Sequence, residues 1–308
     1  MIATQRIPFR LLLWLALVAS GLTSEAQTPA PAASPGALTM ASVIAAATSA
    51  DWRPLDPENT LYLELASGRV VIEIAPAFAP AHAANVKALA REGYFDGLTI
   101  NRVQDNYVAQ WGDANEGPSK RTIRPAKPTL AAEFDQALSP QIPFTPSPDG
   151  DISAPEAGWA MGFPAARDPK SGRTWIAHCY GTLGTARGNG ADSGGGTQLF
   201  VVIGHAPRHL DRNDTAFGRV VKGIELLSTL PRGTGALGFY EKPGQRVVIK
   251  SMRVAADVPA AERTALQVLR TDTPTFTSLI TARRTRGEEW FNFRVDRIEV
   301  CNVPIPIK

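Results

Sequence analysis

The sequence is poor in the residues that carry most familiar chemistry. Its 308 residues include two Cys, Cys179 and Cys301, so at most one intrachain bridge is available. Neither Cys sits in a recognisable nucleophile context. Four His, at 82, 178, 205 and 209, are too scattered to suggest a metal cluster. The Ser, His and Asp residues form no nucleophile elbow or comparable hydrolase motif. A net charge of +3 is too small to argue for nucleic acid as a partner. No long apolar run is present either. The longest, Leu11–Leu22, is well short of the ~20 residues that a membrane span needs. What remains is 44% apolar and 20% charged, the balance of a globular protein of one or two domains.

The N-terminus reads as a leader. Arg6 and Arg10 precede the apolar run, and Ser24-Glu25-Ala26 follows it. Basic, apolar, then small-x-small is the pattern of a secretory signal peptide, with cleavage expected after Ala26. The mature protein is then exported, most simply to a periplasm, with no stable membrane insertion. In an oxidising compartment Cys179 and Cys301 are a candidate disulfide. The alternative is two unrelated buried thiols.

Residues 27–59 combine an Ala/Pro-rich linker with a short segment that has helical content at Thr39–Ser49. Leu61–Ala66 and Arg69–Ala75 alternate apolar and polar residues around Ser67-Gly68, which predicts a hairpin. Ala79-Pro80 opens a helix that runs to about Arg91 and stops before Gly93. Two short strands follow within Ile100–Asp113, joined at Gln104–Asn106. Residues 114–180 break the pattern with ten Pro and little periodicity. This stretch is a long insertion, a functional loop set or partly disordered; Trp159 and Trp175 argue against full disorder. Strands resume at Thr182–Arg187, Gln198–Ile203, Ala216–Val221 and Arg246–Val254, with a short helical run at Ile224–Leu230. In the tail, residues 255–308, Pro259, Ala261, Ala265 and Leu269 predict an amphipathic helix. Phe291, Phe293 and Val295 predict a strand. Many antiparallel strands and two short helices suggest a closed barrel or a sandwich.

Six blocks carry a resemblance to a known family. The stretch I-N-R-V-Q-D-N-Y-V-A-Q-W-G-D, from Ile100 to Asp113, resembles the cyclophilin signature in the spacing of Arg102, Tyr107, Val108 and Gln110. G-T-L-G-T-A-R at Gly181–Arg187, T-Q-L-F at Thr197–Phe200, His209-Leu210-Asp211 and Phe217-Gly218-Arg219-Val220 resemble later blocks of that family in order. Asn85 through Gly97 resembles an earlier one. The resemblance covers about Leu61–Val254, with 114–180 as an enlarged loop. It implies a mainly β fold: a closed antiparallel eight-stranded barrel capped by two helices, here with a long insertion and a C-terminal α+β extension.

It also implies an activity, peptidyl-prolyl cis/trans isomerisation of X–Pro bonds, here in exported proteins that are folding. The planar imide carries a barrier of ~18–20 kcal/mol. In the twisted state its nitrogen regains a lone pair. A donor aimed at that nitrogen and an apolar pocket for the ring both favour the twisted state, without nucleophile, metal or cofactor. Carried over, Arg102 is the donor and Gln110 orients it. Tyr107, Val108, Phe200, Leu210 and Phe217 would line the proline pocket, with His209 where the family has Trp. Ala186 and Arg187 would flank the residues preceding proline, and Gln198 would sit beside the substrate backbone. The partners implied are proline-containing peptides and unfolded exported proteins. Several residues depart from the family pattern: Ile100-Asn101 before the Arg, Tyr107 for Phe, Trp111 for a Gly, His209 for the Trp, and Asp214 for the pocket His. Those at Asn101, His209 and Asp214 motivate an alternative, a cyclophilin-like module that binds peptides with little turnover. The insertion, through Trp159 and Trp175, is expected to extend one wall of the groove.

Overall fold

The computed structural model describes residues 38–115 and 120–308. The leader and most of the Ala/Pro-rich stretch lie outside the described residues. The N-terminal segment holds α1 (Met40–Ala46), started by a Thr39–Ser42 capping box, and β1 (Trp52–Pro54). The hairpin is β2 (Thr60–Leu65) and β3 (Gly68–Ile74), paired from Thr60↔Glu73 to Leu65↔Gly68. Pro80 occupies the first turn of α2 (Pro80–Arg91), where its missing N–H costs nothing. Next come β4 (Thr99–Val103) and β5 (Val108–Gly112).

Within 114–180 the described residues are ordered. They form β6 (Gln136–Ala137), β7 (Phe144–Pro146), β8 (Glu156–Ala160), β9 (Phe163–Asp168) and β10 (Arg173–Ile176). These make one five-stranded antiparallel sheet in the order β6-β10-β9-β8-β7. Many of its Pro lie between strands, which hid the sheet from a periodicity reading.

The chain then returns with β11 (Thr182–Thr185), β12 (Gln198–Val202), β13 (Ala216–Lys222), the one-turn α3 (Glu225–Ser228) and β14 (Val247–Val254). The eight strands β11-β12-β5-β4-β14-β2-β3-β13 close into a barrel, the architecture that abolishes free edges. Leu61, Leu63, Val70, Ile72, Trp111, Leu183, Leu199 and Phe217 fill its interior. From α2, Val86 and Leu89 join that core, and from α3, Leu227.

The outer faces of β3 and β13 are buried as well. Ala75 and Ala216 pack against Phe163, Ala165 and Ile176 of the insertion. Glu73, on that outer face, takes Arg53 at 2.5 Å and Arg219 at 3.8 Å. The tail differs from expectation. No helix runs from Pro259 to Leu269; Leu269 instead belongs to β15 (Gln267–Leu269), which pairs with β1. The helix is α4 (Pro274–Thr285), capped by the Thr273 side chain with Pro274 at its first position. A true N-cap outweighed the weaker Ala spacing. The expected strand at Phe291–Val295 does not form, and Phe293 and Val295 face solvent. Phe276 of α4 meets Trp159 edge-on at 5.5 Å, and Cys301 is bonded to Cys179 with Cα atoms 5.1 Å apart.

Candidate active site

Strand alternation sorts the site from the core. Successive side chains on a strand point to opposite faces. On β5, Ala109 and Trp111 enter the barrel while Val108 and Gln110 face outward. On β12, Leu199 and Val201 enter, and Phe200 and Val202 face outward. Register then brings the outward set together, because Arg102 pairs with Gln110 and Phe200 pairs with Gln110 across the other edge.

Arg102 is half-buried and held at three of its nitrogens. Nε donates to Leu237 O at 2.7 Å, Nη1 to Gln110 Oε1 at 3.0 Å, and Nη2 to Gln104 Oε1. Its guanidinium also lies 5.6 Å from the Tyr107 ring centroid and 5.4 Å from that of Phe239. Burial lowers its pKa from the ordinary value, with Tyr107 opposing; the group remains a cation. A guanidinium has five N–H donors, so this fork is fixed in place with donors to spare. Gln110 Nε2 donates to Gln198 Oε1 at 3.4 Å, and Gln198 Nε2 to Asp113 O.

Beside the fork is an apolar cluster of Val108, Phe200 and Val202, with Tyr107, Ala186 and Leu210 packed at its edge. Exposed His209 stacks on Tyr107, centroids 6.1 Å and planes 16° apart. Gly184 stands behind Phe200, and a Cβ there would lie 2.4 Å from Phe200 Cζ. Arg187 turns away, its Nε and Nη2 donating to Asn213 O at 2.9 and 2.7 Å. Phe217 is not part of this cluster. It is fully buried in the barrel interior, because its phase on β13 points it inward. A groove of about 620 Å³ continues past Gln110 and Gln198, walled by Lys120–Ile123 and Pro128–Thr129 of the insertion.

The model of the family described as cyclophilin type peptidyl-prolyl cis-trans isomerase/CLD matches residues 60–254. The chain belongs to the cyclophilin-type peptidyl-prolyl isomerases. It is 28% identical over 201 residues to a probable peptidyl-prolyl cis-trans isomerase of Brucella abortus, covering 63% of this chain and 82% of that one. With peptidyl-prolyl cis-trans isomerase B of Bacillus subtilis it shares 29% over 177 residues, covering 57% and 92%. The crystal structure of cyclophilin AquaCyp293 from Hirschia baltica matches with a TM-score of 0.67 at 26% identity, covering 83% of this chain and 92% of that one. That coverage reaches beyond residues 60–254.

In this cyclophilin the departures have distinct environments. Ile100 and Trp111 pair across β4 and β5 and are fully buried, so Trp111 fills the barrel where a Gly would leave a void. Asn101 is buried and donates weakly to Gly112 O at 3.4 Å. Asp214 sits on the turn after Leu210, its N–H donating to Leu210 O at 3.0 Å. Burial pushes its pKa up to about 6, against the pull of His178, the Thr215 N–H and Arg187.

Sequence reading missed what lies under the pocket. Asp211 is buried and accepts four hydrogen bonds: from His178 N at 2.9 Å, His178 Nδ1 at 3.0 Å, Trp175 Nε1 at 3.3 Å and Arg208 Nε at 2.7 Å. Arg208 also grips Asp151 with bonds of 2.7 and 3.1 Å. Burial opposes the Asp211 carboxylate, but His178 and Arg208 win and lower its pKa. The insertion therefore holds the turn carrying His209 and Leu210. Trp175 is spent in this brace and Trp159 is buried against α4, so neither is an open wall of the groove. The Asp211 block was legible as a resemblance, but nothing in sequence spacing linked it to His178 or Asp151.

Proposed function

We propose that the protein isomerises X–Pro bonds in exported, incompletely folded polypeptides. Arg102 is the donor to the imide nitrogen, Gln110 orients it, and the Val108–Phe200–Leu210 cluster with Tyr107 and His209 takes the proline ring. Ala186 and Arg187, through their backbone, and Gln198 lie along the residues that precede it. The observation that carries this reading is the Arg102–Gln110 bond of 3.0 Å beside an outward-facing apolar cluster. A fixed cation in a half-buried site needs little reorganisation as the nitrogen lone pair develops. X–Pro isomerisation takes ~10–100 s uncatalysed and can limit folding, which gives an exported catalyst its use. The leader pattern at residues 1–26 supports export, and cleavage after Ala26 is checked by N-terminal sequencing of the exported protein. On this reading residues 60–254 are the isomerase domain, 114–180 its brace and groove wall, and 255–308 an extension locked by Cys179–Cys301.

The test is isomerisation of a proline tetrapeptide by wild type and Arg102→Ala. Loss of most of the rate in the variant supports the assignment. A folded wild type with no rate above background overturns it. The reading then becomes a peptide-binding module, which the anionic Asp214 beside the pocket favours.

A further inference from the structure

The loop 231–240 rests on the strand that carries Arg102. Gly233 N donates to Val103 O at 2.9 Å, Tyr240 N to Asn101 O at 3.0 Å, and Gly235 N to Phe239 O at 3.0 Å. Tyr240 is buried in the barrel core, its hydroxyl donating to Pro231 O at 2.5 Å. Gly238, at φ 79°, passes so close that a Cβ would stand 2.6 Å from Gln104 Cα. Leu237 adopts φ 56°, ψ 20°, a left-handed conformation that is strained for a Leu.

This constraint has two results. The Leu237 carbonyl is fixed 2.7 Å from Arg102 Nε. The Leu237 and Phe239 side chains are held 67% and 40% exposed beside the guanidinium. Large apolar groups kept in water by a strained, pinned backbone need a reason, and none of their contacts adds to the core. Barrel order tells which part of a substrate they meet. Ala186 follows β11, the proline cluster is on β12 and β5, and Arg102 is on β4, in the order β11-β12-β5-β4. A peptide whose preceding residues lie near Ala186 brings its following residue over β4 and this loop.

We infer that Leu237 and Phe239 are specificity-determining residues that receive an apolar side chain on the residue following proline. The inference rests on the isomerase reading above. It deepens that reading by naming the substrate class: X–Pro–apolar sequences rather than X–Pro in general.

The probes are Ala-Ala-Pro-Phe and Ala-Ala-Pro-Ser, each measured by calorimetric affinity and by kcat/KM. Wild type is expected to prefer the Phe peptide roughly tenfold, the scale of partly burying one aromatic side chain. Leu237→Asn suits the left-handed backbone and so keeps the loop folded, and it should shrink the ratio. Leu237→Asn with Phe239→Ser should bring it near one. Because the readout is a ratio, general damage to the site leaves it unchanged. A wild type without preference, or a preference that survives both substitutions, overturns the inference. A preference seen in affinity and lost in the variants upholds it even if turnover is absent, an outcome that would overturn only the catalytic reading.

Discussion

The imidazole of His178 lies flat against the ring of Phe200, with centroids 6.2 Å and planes 16° apart. One residue belongs to the insertion and the other to the outward-facing apolar cluster. Nδ1 of the same imidazole is bonded to Asp211, so ring, carboxylate and the 208–214 turn are linked. Asp211→Asn weakens an acceptor shared by His178, Trp175 and Arg208. Breaking one member of such a buried charged set costs about 3–5 kcal/mol, and a comparable loss is expected in denaturant unfolding. Asp151→Asn removes only the outer partner of Arg208, and should cost less while still lowering peptide affinity.

Arg102→Ala should reduce turnover roughly 10- to 100-fold, the worth of one charge-assisted hydrogen bond. Peptide affinity should change far less, since the apolar cluster is intact. Arg102→Lys keeps the charge but cannot bond Gln110, Gln104 and Leu237 O together, so it should resemble the Ala variant more than wild type. Steady-state kinetics beside calorimetry separate the two effects.

Asp214 should make the region beside the apolar cluster sensitive to pH. Its folded pKa, about 6, is raised above the ordinary 3.8, so the fold favours the neutral acid. The stability it contributes is complete below about pH 4 and is lost as pH rises through about 6. Asp214→Asn should therefore stabilise the protein at pH 7.5 by on the order of 2 kcal/mol and flatten the stability profile across that window. Wild-type affinity for a proline peptide should rise from pH 7.5 to pH 5, and the Asn variant should lose that rise. Unfolding and titration calorimetry at four pH values check both.

Gly184→Ala places a methyl 2.4 Å from Phe200 Cζ. Overpacking of this kind costs about 1–3 kcal/mol, and Phe200 can yield only by shifting within the pocket. Thermal stability and peptide affinity should fall together, the latter severalfold.

Cys301→Ser frees the extension from Cys179, the residue next to His178. The bridge spans a sequence separation of 122, so its loss should cost about 2–4 kcal/mol. Reduction of wild type with dithiothreitol should lower its unfolding free energy by a similar amount and leave the variant unaffected.

Much of the barrel was legible because its information is local. Period-2 alternation marked the β2–β3 hairpin, Ala79-Pro80 marked the start of α2, and ordered blocks around Arg102, Gln198 and Leu210 carried the family resemblance. The same alternation could have excluded Phe217 from the pocket, had its phase against β3 been known. The insertion sheet and α4 were not legible: short strands interrupted by Pro have no clear period, and a Thr-Pro cap says nothing until a core is present to receive Phe276.

By itself, then, the sequence determined much of the barrel's strand pattern and the nearness of Arg102 to Gln110, which face each other across one hairpin. Only the tertiary structure decided that Asp151 and His178 brace the pocket, that Leu237 O holds Arg102, and that Cys179 meets Cys301. Those contacts join residues 57, 33, 135 and 122 positions apart. Closing the barrel sets such distances, and no local pattern of side chains encodes them.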